Sequence, residues 1–152
     1  MEGIWIPPST DFLKFNVDGS TRDSPGNAGV GGVLRDANGM VLCIFSCFVG
    51  IQNSNNAKIL DILKAINLCA SSQYTSGREI IIASDSKVAV SWVYNDGFGS
   101  LDNIDSIYDI REKLRYLRKV IVTYNPTSTN SMVDMLAKRA SNLEGDIVEW
   151  SS

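Results

Sequence analysis

No histidine occurs anywhere in these 152 residues. That absence removes the Ser-His-Asp triad, the Cys-His pair and every imidazole acid–base catalyst. Any chemistry has to run on carboxylates, lysine, tyrosine, hydroxyls or a bound cation. Cysteine is scarce and odd in number: Cys43, Cys47 and Cys69 lie in apolar stretches, with no CxxC pair. Both facts argue against a zinc site, and the three read as reduced core thiols of an intracellular protein. No apolar run approaches the roughly 18 residues of a spanning helix, and the N-terminal MEGIWIPPST lacks the apolar core of a signal peptide. No membrane partner is expected. A basic excess is missing as well. The net charge is −3, whereas a dedicated nucleic-acid binder normally carries the opposite sign. A phosphate partner would need a local basic patch.

What is present is the composition of one folded domain: 44% apolar and 20% charged residues in 152, enough for a full core. Residues 1–11, with Pro7-Pro8 and Trp5, read as an extended lead-in that the tryptophan anchors if it docks. Residues 12–142 carry the pattern of a domain, and 143–152 read as a C-terminal tail. From Phe12 apolar residues alternate: Leu13, Phe15 and Val17 share one face, Lys14, Asn16 and Asp18 the other, which is a strand. Thr21 to Gly29 reads as a loop. Val30–Arg35 and Met40–Val49 flank Asp36-Ala37-Asn38-Gly39, a hairpin with an Asn-Gly turn signal.

Ser54, Asn55 and Asn56 are available to cap a helix whose Ile59, Ile62, Leu63, Ile66 and Cys69 recur at helical spacing. Glu79–Ala83 is a short apolar run suited to a buried parallel strand. Ser84-Asp85-Ser86 can cap a helix with Val88, Trp92 and Val93 facing inward. After a glycine-bearing loop, 95–100, a helix over about 101–117 turns Ile104, Ile107, Tyr108, Leu114 and Leu117 inward. Val120–Tyr124 is a fifth strand, and Ser128–Asn130 cap a last helix reaching Ser141. The expected class is α/β: a five-stranded mixed sheet, three antiparallel strands then two parallel, flanked by helices.

Three acids stand where such sheets carry sites, at strand carboxyl ends and helix starts: Asp18, Asp85 and Asp134. Each also has a plain structural reading. Asp18 can start a turn, Asp85 can cap a helix, and Asp134 can pair with Lys138 at i+4. Arg111, Lys113, Arg115, Arg118 and Lys119 form the one dense basic stretch, either a solvated helix face or a track for phosphates.

Taken in order, FNVDGS, GVGGVLRDANGMVL, NSNNAKILDILKAINLC, SDSKVAVSW and NSMVDMLAKRAS resemble the ribonuclease H fold. The likeness is to the plant reverse-transcriptase-like, retroelement-derived group, and it runs from about Lys14 to Ala140. In that family four acids, in the order Asp, Glu, Asp, Asp, hold two divalent metals and cleave RNA paired with DNA. The resemblance implies that Asp18, Asp85 and Asp134 are metal ligands and catalytic, and that Mg²⁺ or Mn²⁺ is the cofactor. It implies RNA–DNA hybrid as partner, gripped by Asn16, Gly19, Ser20, Asn55 and Ser86. Four carboxylates balance two ions about 3.5–4 Å apart, one of which prepares the attacking water while the other stabilises the leaving oxygen.

The fourth acid does not match. At the family's Glu position the chain reads Asn55-Asn56-Ala57-Lys58. A lysine tip about 4 Å from a divalent ion meets a repulsion of several kcal/mol at an effective dielectric near 20. Lys58 is expected in a helix's first turn, where the macrodipole disfavours it. Two placements are open: inward among the three aspartates, or outward onto Asp61. Asp61 is also a candidate replacement ligand, displaced along the helix by about 4.5–5 Å. The histidine that many family members carry before the last Asp is Tyr124 here. The resemblance therefore implies a degenerate, inactive or strongly impaired ribonuclease H-like module that binds hybrid, other nucleic acid or protein, with metal binding weak or single-ion. The alternative is an active, divalent-metal-dependent ribonuclease H. Trp5-Ile6-Pro7-Pro8 resembles the lead-in to such domains within longer proteins, so excision from one is an expectation.

Overall fold

The computed structural model describes residues 12–95, 101–126 and 131–151. The expectations for the lead-in and its Trp5, the 95–100 loop beyond Asn95, and the 128–130 cap lie outside them. Elements run β1 (Leu13–Thr21), β2 (Gly26–Arg35), β3 (Val41–Gln52), α1 (Ser54–Ser71), β4 (Ile80–Ser84), α2 (Lys87–Tyr94), α3 (Ile104–Tyr116), β5 (Val120–Tyr124), α4 (Ser131–Ser141) and β6 (Ile147–Trp150). One sheet has the order β5-β4-β1-β2-β3-β6. β1, β4 and β5 are mutually parallel; β1–β2, β2–β3 and β3–β6 are antiparallel. The mixed α/β architecture is as expected, but the sheet has six strands and not five.

The sixth strand corrects the reading of 143–152 as a tail. Leu143 and Gly145 take positive φ, 61° and 92°, and reverse the chain after α4. The Phe48 N–H then donates to Asp146 Oδ1 at 2.9 Å. Four residues pair with β3 from Ser46↔Ile147 to Cys43↔Trp150, and Trp150 stacks on Tyr74 with centroids 5.8 Å apart. β2 also starts earlier than expected, at Gly26 and not Val30, because Gly26–Gly29 already pair with β3. The hairpin turn is tight: the Asp36 carboxylate accepts from the Asn38 and Met40 amides at 2.9 and 3.0 Å, while Gly39 supplies φ 86°.

Strand alternation divides the core. Phe15, Val17, Val30, Leu34 and Phe45 join Ile59, Ile62 and Ile66 of α1 in the main cluster, and Ile107 and Ile110 of α3 close it. The opposite parity of β2 puts Val33 against Val133 and Leu136 of α4 in a second, smaller cluster. Cys43, Cys47 and Cys69 are buried and free. Two helix faces differ from expectation. Val88 and Tyr108 are exposed, at 45% and 52%, while Ala89 and Ile110 take the inward positions. Bulk alone did not pick the inward face on short helices, where one residue of phase turns a side chain outward.

Candidate functional site

The ladder between β1 and β4 ends at Asn16↔Ala83. Just beyond it β1 and β4 part into a fork, while β1 stays paired on its other edge with antiparallel β2 as far as Thr21↔Ala28. Asp18 follows on β1, paired with Gly31 of β2, and Asp85 follows the last residue of β4. Asp85 is not the helix cap: Ser86 takes that place, its hydroxyl accepting from the Ala89 amide at 3.1 Å. This leaves the Asp85 carboxylate directed elsewhere.

α1 enters the fork because Gly19 lets it. A Cβ there would lie 2.6 Å from the Ala57 carbonyl oxygen, so helix and strand touch backbone to backbone. The helix is capped by Asn53, not by residues 54–56; its side chain accepts from the Asn56 amide at 2.8 Å. Lys58 is therefore the fifth helical residue, past the first turn, and the macrodipole disfavours it less than expected. Its Nζ donates to Asp18 Oδ1 in a short ion pair and to Asp85 Oδ1 at 3.1 Å. Of the two placements open to Lys58, the structure has the inward one.

Asp134 is nearby but otherwise engaged, paired with Lys138 Nζ at 3.0 Å. Its charge is still felt at Asp18. Burial raises the Asp18 carboxyl above its ordinary value; Lys58 opposes this, and Asp85 and Asp134 add to it. For Lys58, burial works to lower the amine. The hydrogen bond to Asp18 and the charges of Asp18, Asp85 and Asp61 outweigh it and keep the ammonium above its ordinary value.

Asp61 does not meet Lys58 in an ion pair, nor does it reach the surface. It is 0% exposed, and neither carboxyl oxygen has a hydrogen-bond partner. Burial pushes it well above the ordinary carboxylate range. As it stands, the Asp61 carboxylate is closed off from solvent on the core side of α1. Its burial was the feature least visible in the sequence, where it read as an outward partner for Lys58 or as a replacement ligand.

The expected grip residues surround the fork. Asn16 and Ser20 are half-buried on the strand that carries Asp18, Asn55 is exposed on the first turn of α1, and Ser86 is half-buried at the start of α2. Asn16 Oδ1 is buried without a partner. Two divalent ions do not fit the side chains as they stand: an ammonium occupies the space between Asp18 and Asp85, and Asp134 faces a second ammonium. Among the described residues, no three acidic or thiol side chains are grouped closely enough to hold a metal ion.

The basic stretch is divided by the fold. Arg111 donates to the carbonyls of Trp92, Val93 and Asn95 and so closes the C-terminus of α2. Lys113 pairs with Asp109 and Asn67, and Arg115 with Glu112. Arg118 and Lys119, past the helix, are exposed and form no ion pair among the described residues.

Fold and fork together define a ribonuclease H-like domain. The reverse transcriptase-like family model matches residues 16–140, and the chain belongs to that family. An Arabidopsis thaliana protein named as a ribonuclease H protein is 38% identical over 55 residues, 36% of this chain and 9% of that protein's length. The chain thus spans a small part of that relative. Among solved structures, LC11-RNase H1, isolated from compost by a metagenomic approach, superposes with a TM-score of 0.78 at 20% identity, covering 88% of this chain and 98% of that one. RNase H1 from the archaeon Halobacterium salinarum gives 0.74 at 23% identity, covering 86% and 98%. At these identities the likeness is one of fold.

Proposed function

We propose that this domain is a non-cleaving ribonuclease H-like module that binds RNA–DNA hybrid, with Lys58 in the family's Glu position as a permanent internal cation. The observation that carries the reading is the Lys58 ammonium bonded to both Asp18 and Asp85. An ammonium so placed neutralises part of the carboxylate cluster without any ion from solution. With Lys138 on Asp134, three carboxylates face two ammonium groups, so an approaching phosphate meets far less repulsion than three bare acids would present. Asn16, Gly19, Ser20, Asn55 and Ser86 supply the amides and hydroxyls that read groove shape and 2′-hydroxyl. Support also comes from structural neighbours: one LC11-RNase H1 structure is a complex with RNA/DNA hybrid, at a TM-score of 0.75 and 21% identity.

The test is a comparison of the native chain with Lys58→Glu, by calorimetric titration of Mg²⁺ and Mn²⁺ and by hybrid cleavage. The native chain is expected to bind hybrid with no divalent ion and to leave it intact. The variant, with local charge shifted by two units, is expected to bind either ion at least 10-fold more tightly and to gain cleavage. Equal cleavage by both proteins would establish the active metal-dependent enzyme instead. No hybrid binding by the native chain would favour a module that docks on protein.

A further inference from the structure

The N-terminal ends of β4 and β5 open on a cleft of about 580 Å³. It lies one strand length, roughly 15 Å, from the fork that holds Asp18 and Asp85. One wall is the turn after α1, which is firmly built. Thr75, 3% exposed, donates through its hydroxyl to the Cys69 and Ser72 carbonyls at 2.8 and 3.1 Å, and the Arg78 amide donates to Thr75 O at 3.1 Å. The other wall is the chain from Tyr116 to Lys119, fixed by the Ile80 amide donating to Lys119 O at 2.9 Å and by the Val120 amide donating to Leu117 O at 3.0 Å.

Arg78, Arg118 and Lys119 line this cleft, and no acidic side chain does. In a chain of net charge −3 that is a local reversal of sign. Arg118 and Lys119 form no ion pair among the described residues, in contrast to Lys113 and Arg115 of the preceding helix. Tyr116 stands on the same wall, 77% exposed, and serine hydroxyls of the facing turn add donors.

We propose that the cleft binds a single-stranded segment of nucleic acid, with phosphates on Arg118 and Lys119 and a base stacked on Tyr116. Cations that follow a backbone beside an exposed aromatic ring are the elements of sequence-tolerant single-strand binding. The volume suits a nucleotide or two, within the roughly 300–1,000 Å³ of small-ligand sites. An acidic peptide would satisfy the cations but would leave the ring without a stacking partner. The site is separate from the fork, so it stands or falls independently of the hybrid-binding reading.

The test is fluorescence anisotropy of a labelled deoxythymidine dodecamer with the full chain over a range of KCl concentrations. Two phosphate contacts predict a slope of log affinity against log salt of about −1.4. The double variant Arg118→Ala/Lys119→Ala should flatten it toward zero and weaken binding at least 10-fold, with an unchanged circular dichroism spectrum. Tyr116→Ala should weaken binding about 5-fold or more while keeping the slope. The proposal is overturned if the native chain binds no dodecamer, if a natively folded double variant binds as well as the native chain, or if polyglutamate competes as strongly as the oligonucleotide.

Discussion

An ammonium group bonded to two carboxylates leaves little for a soluble cation to gain, and a third acid lies buried behind it. Asp61 is sealed in the core without a hydrogen-bond partner, and a buried, unpaired carboxylate is costly. Burial raises its proton affinity, which Lys58 only partly offsets. A carboxyl whose folded value is raised binds its proton more tightly folded than unfolded. Stability is then lost as pH climbs from the unfolded value through the folded one. Asp61→Asn removes the charge and keeps the shape. It should stabilise the protein by about 1–3 kcal/mol at pH 8 and by much less at pH 4. Urea unfolding of both proteins at the two pH values measures this. An equal difference at both would mean that Asp61 does not change ionisation on folding.

At the scale of elements, the fork depends on how closely α1 approaches β1. Gly19→Ala puts a methyl 2.6 Å from the Ala57 carbonyl oxygen, and neither backbone has room to retreat. A loss of about 1–3 kcal/mol is expected, read as a lower urea midpoint. Hybrid binding should weaken with it, because Lys58 and Asp18 shift together. β6 makes a second case. Trp150 packs on the main core and stacks on Tyr74, so Trp150→Ala should cost about 2 kcal/mol in thermal or urea unfolding. A change below about 0.5 kcal/mol would show that β6 merely rests on the edge of β3. These two elements also mark how far the sequence could be read. Strand alternation through Leu13, Phe15 and Val17, the Asn38-Gly39 turn and the α1 stripe are local patterns, and they located β1, the hairpin and the long helix. The acids Asp18 and Asp85 were legible because one lies in, and the other directly follows, a strand whose apolar pattern is strong. β6 was not: four residues are too few for a periodicity, and the strand is held by Asp146 and Trp150, whose partners lie about a hundred and about eighty positions away. The burial of Asp61 and the division of the basic stretch likewise depend on which helix lies against which, and that is decided by tertiary packing.

For the whole molecule, the missing histidine governs behaviour with pH as well as chemistry. Surface carboxylates finish ionising well below pH 6, and lysines begin to lose protons well above pH 9. The cysteines do not fill the gap, because burial raises all three thiols, Cys43 and Cys69 to about 12. Between these limits the described surface keeps one charge pattern: acidic overall, with ammonium groups fixed at the fork and a cationic cleft at the opposite end of the sheet. The proposed hybrid binding should follow that pattern, since the field of the whole molecule sets how a polyanion approaches. At fixed ionic strength, hybrid affinity should therefore change by less than about 2-fold from pH 6.5 to 8.5, where a histidine-bearing site would titrate through its midpoint. Below about pH 5.5 it should rise, as carboxylates gain protons and the net charge passes through zero near the pI of 4.9. Anisotropy titrations of a labelled hybrid across this range measure both limbs. A midpoint near pH 7 would mean that a titrating group acts on the binding surface, and Asp61, buried behind the fork and pushed well above its ordinary value, is the first to test by repeating the profile with Asp61→Asn.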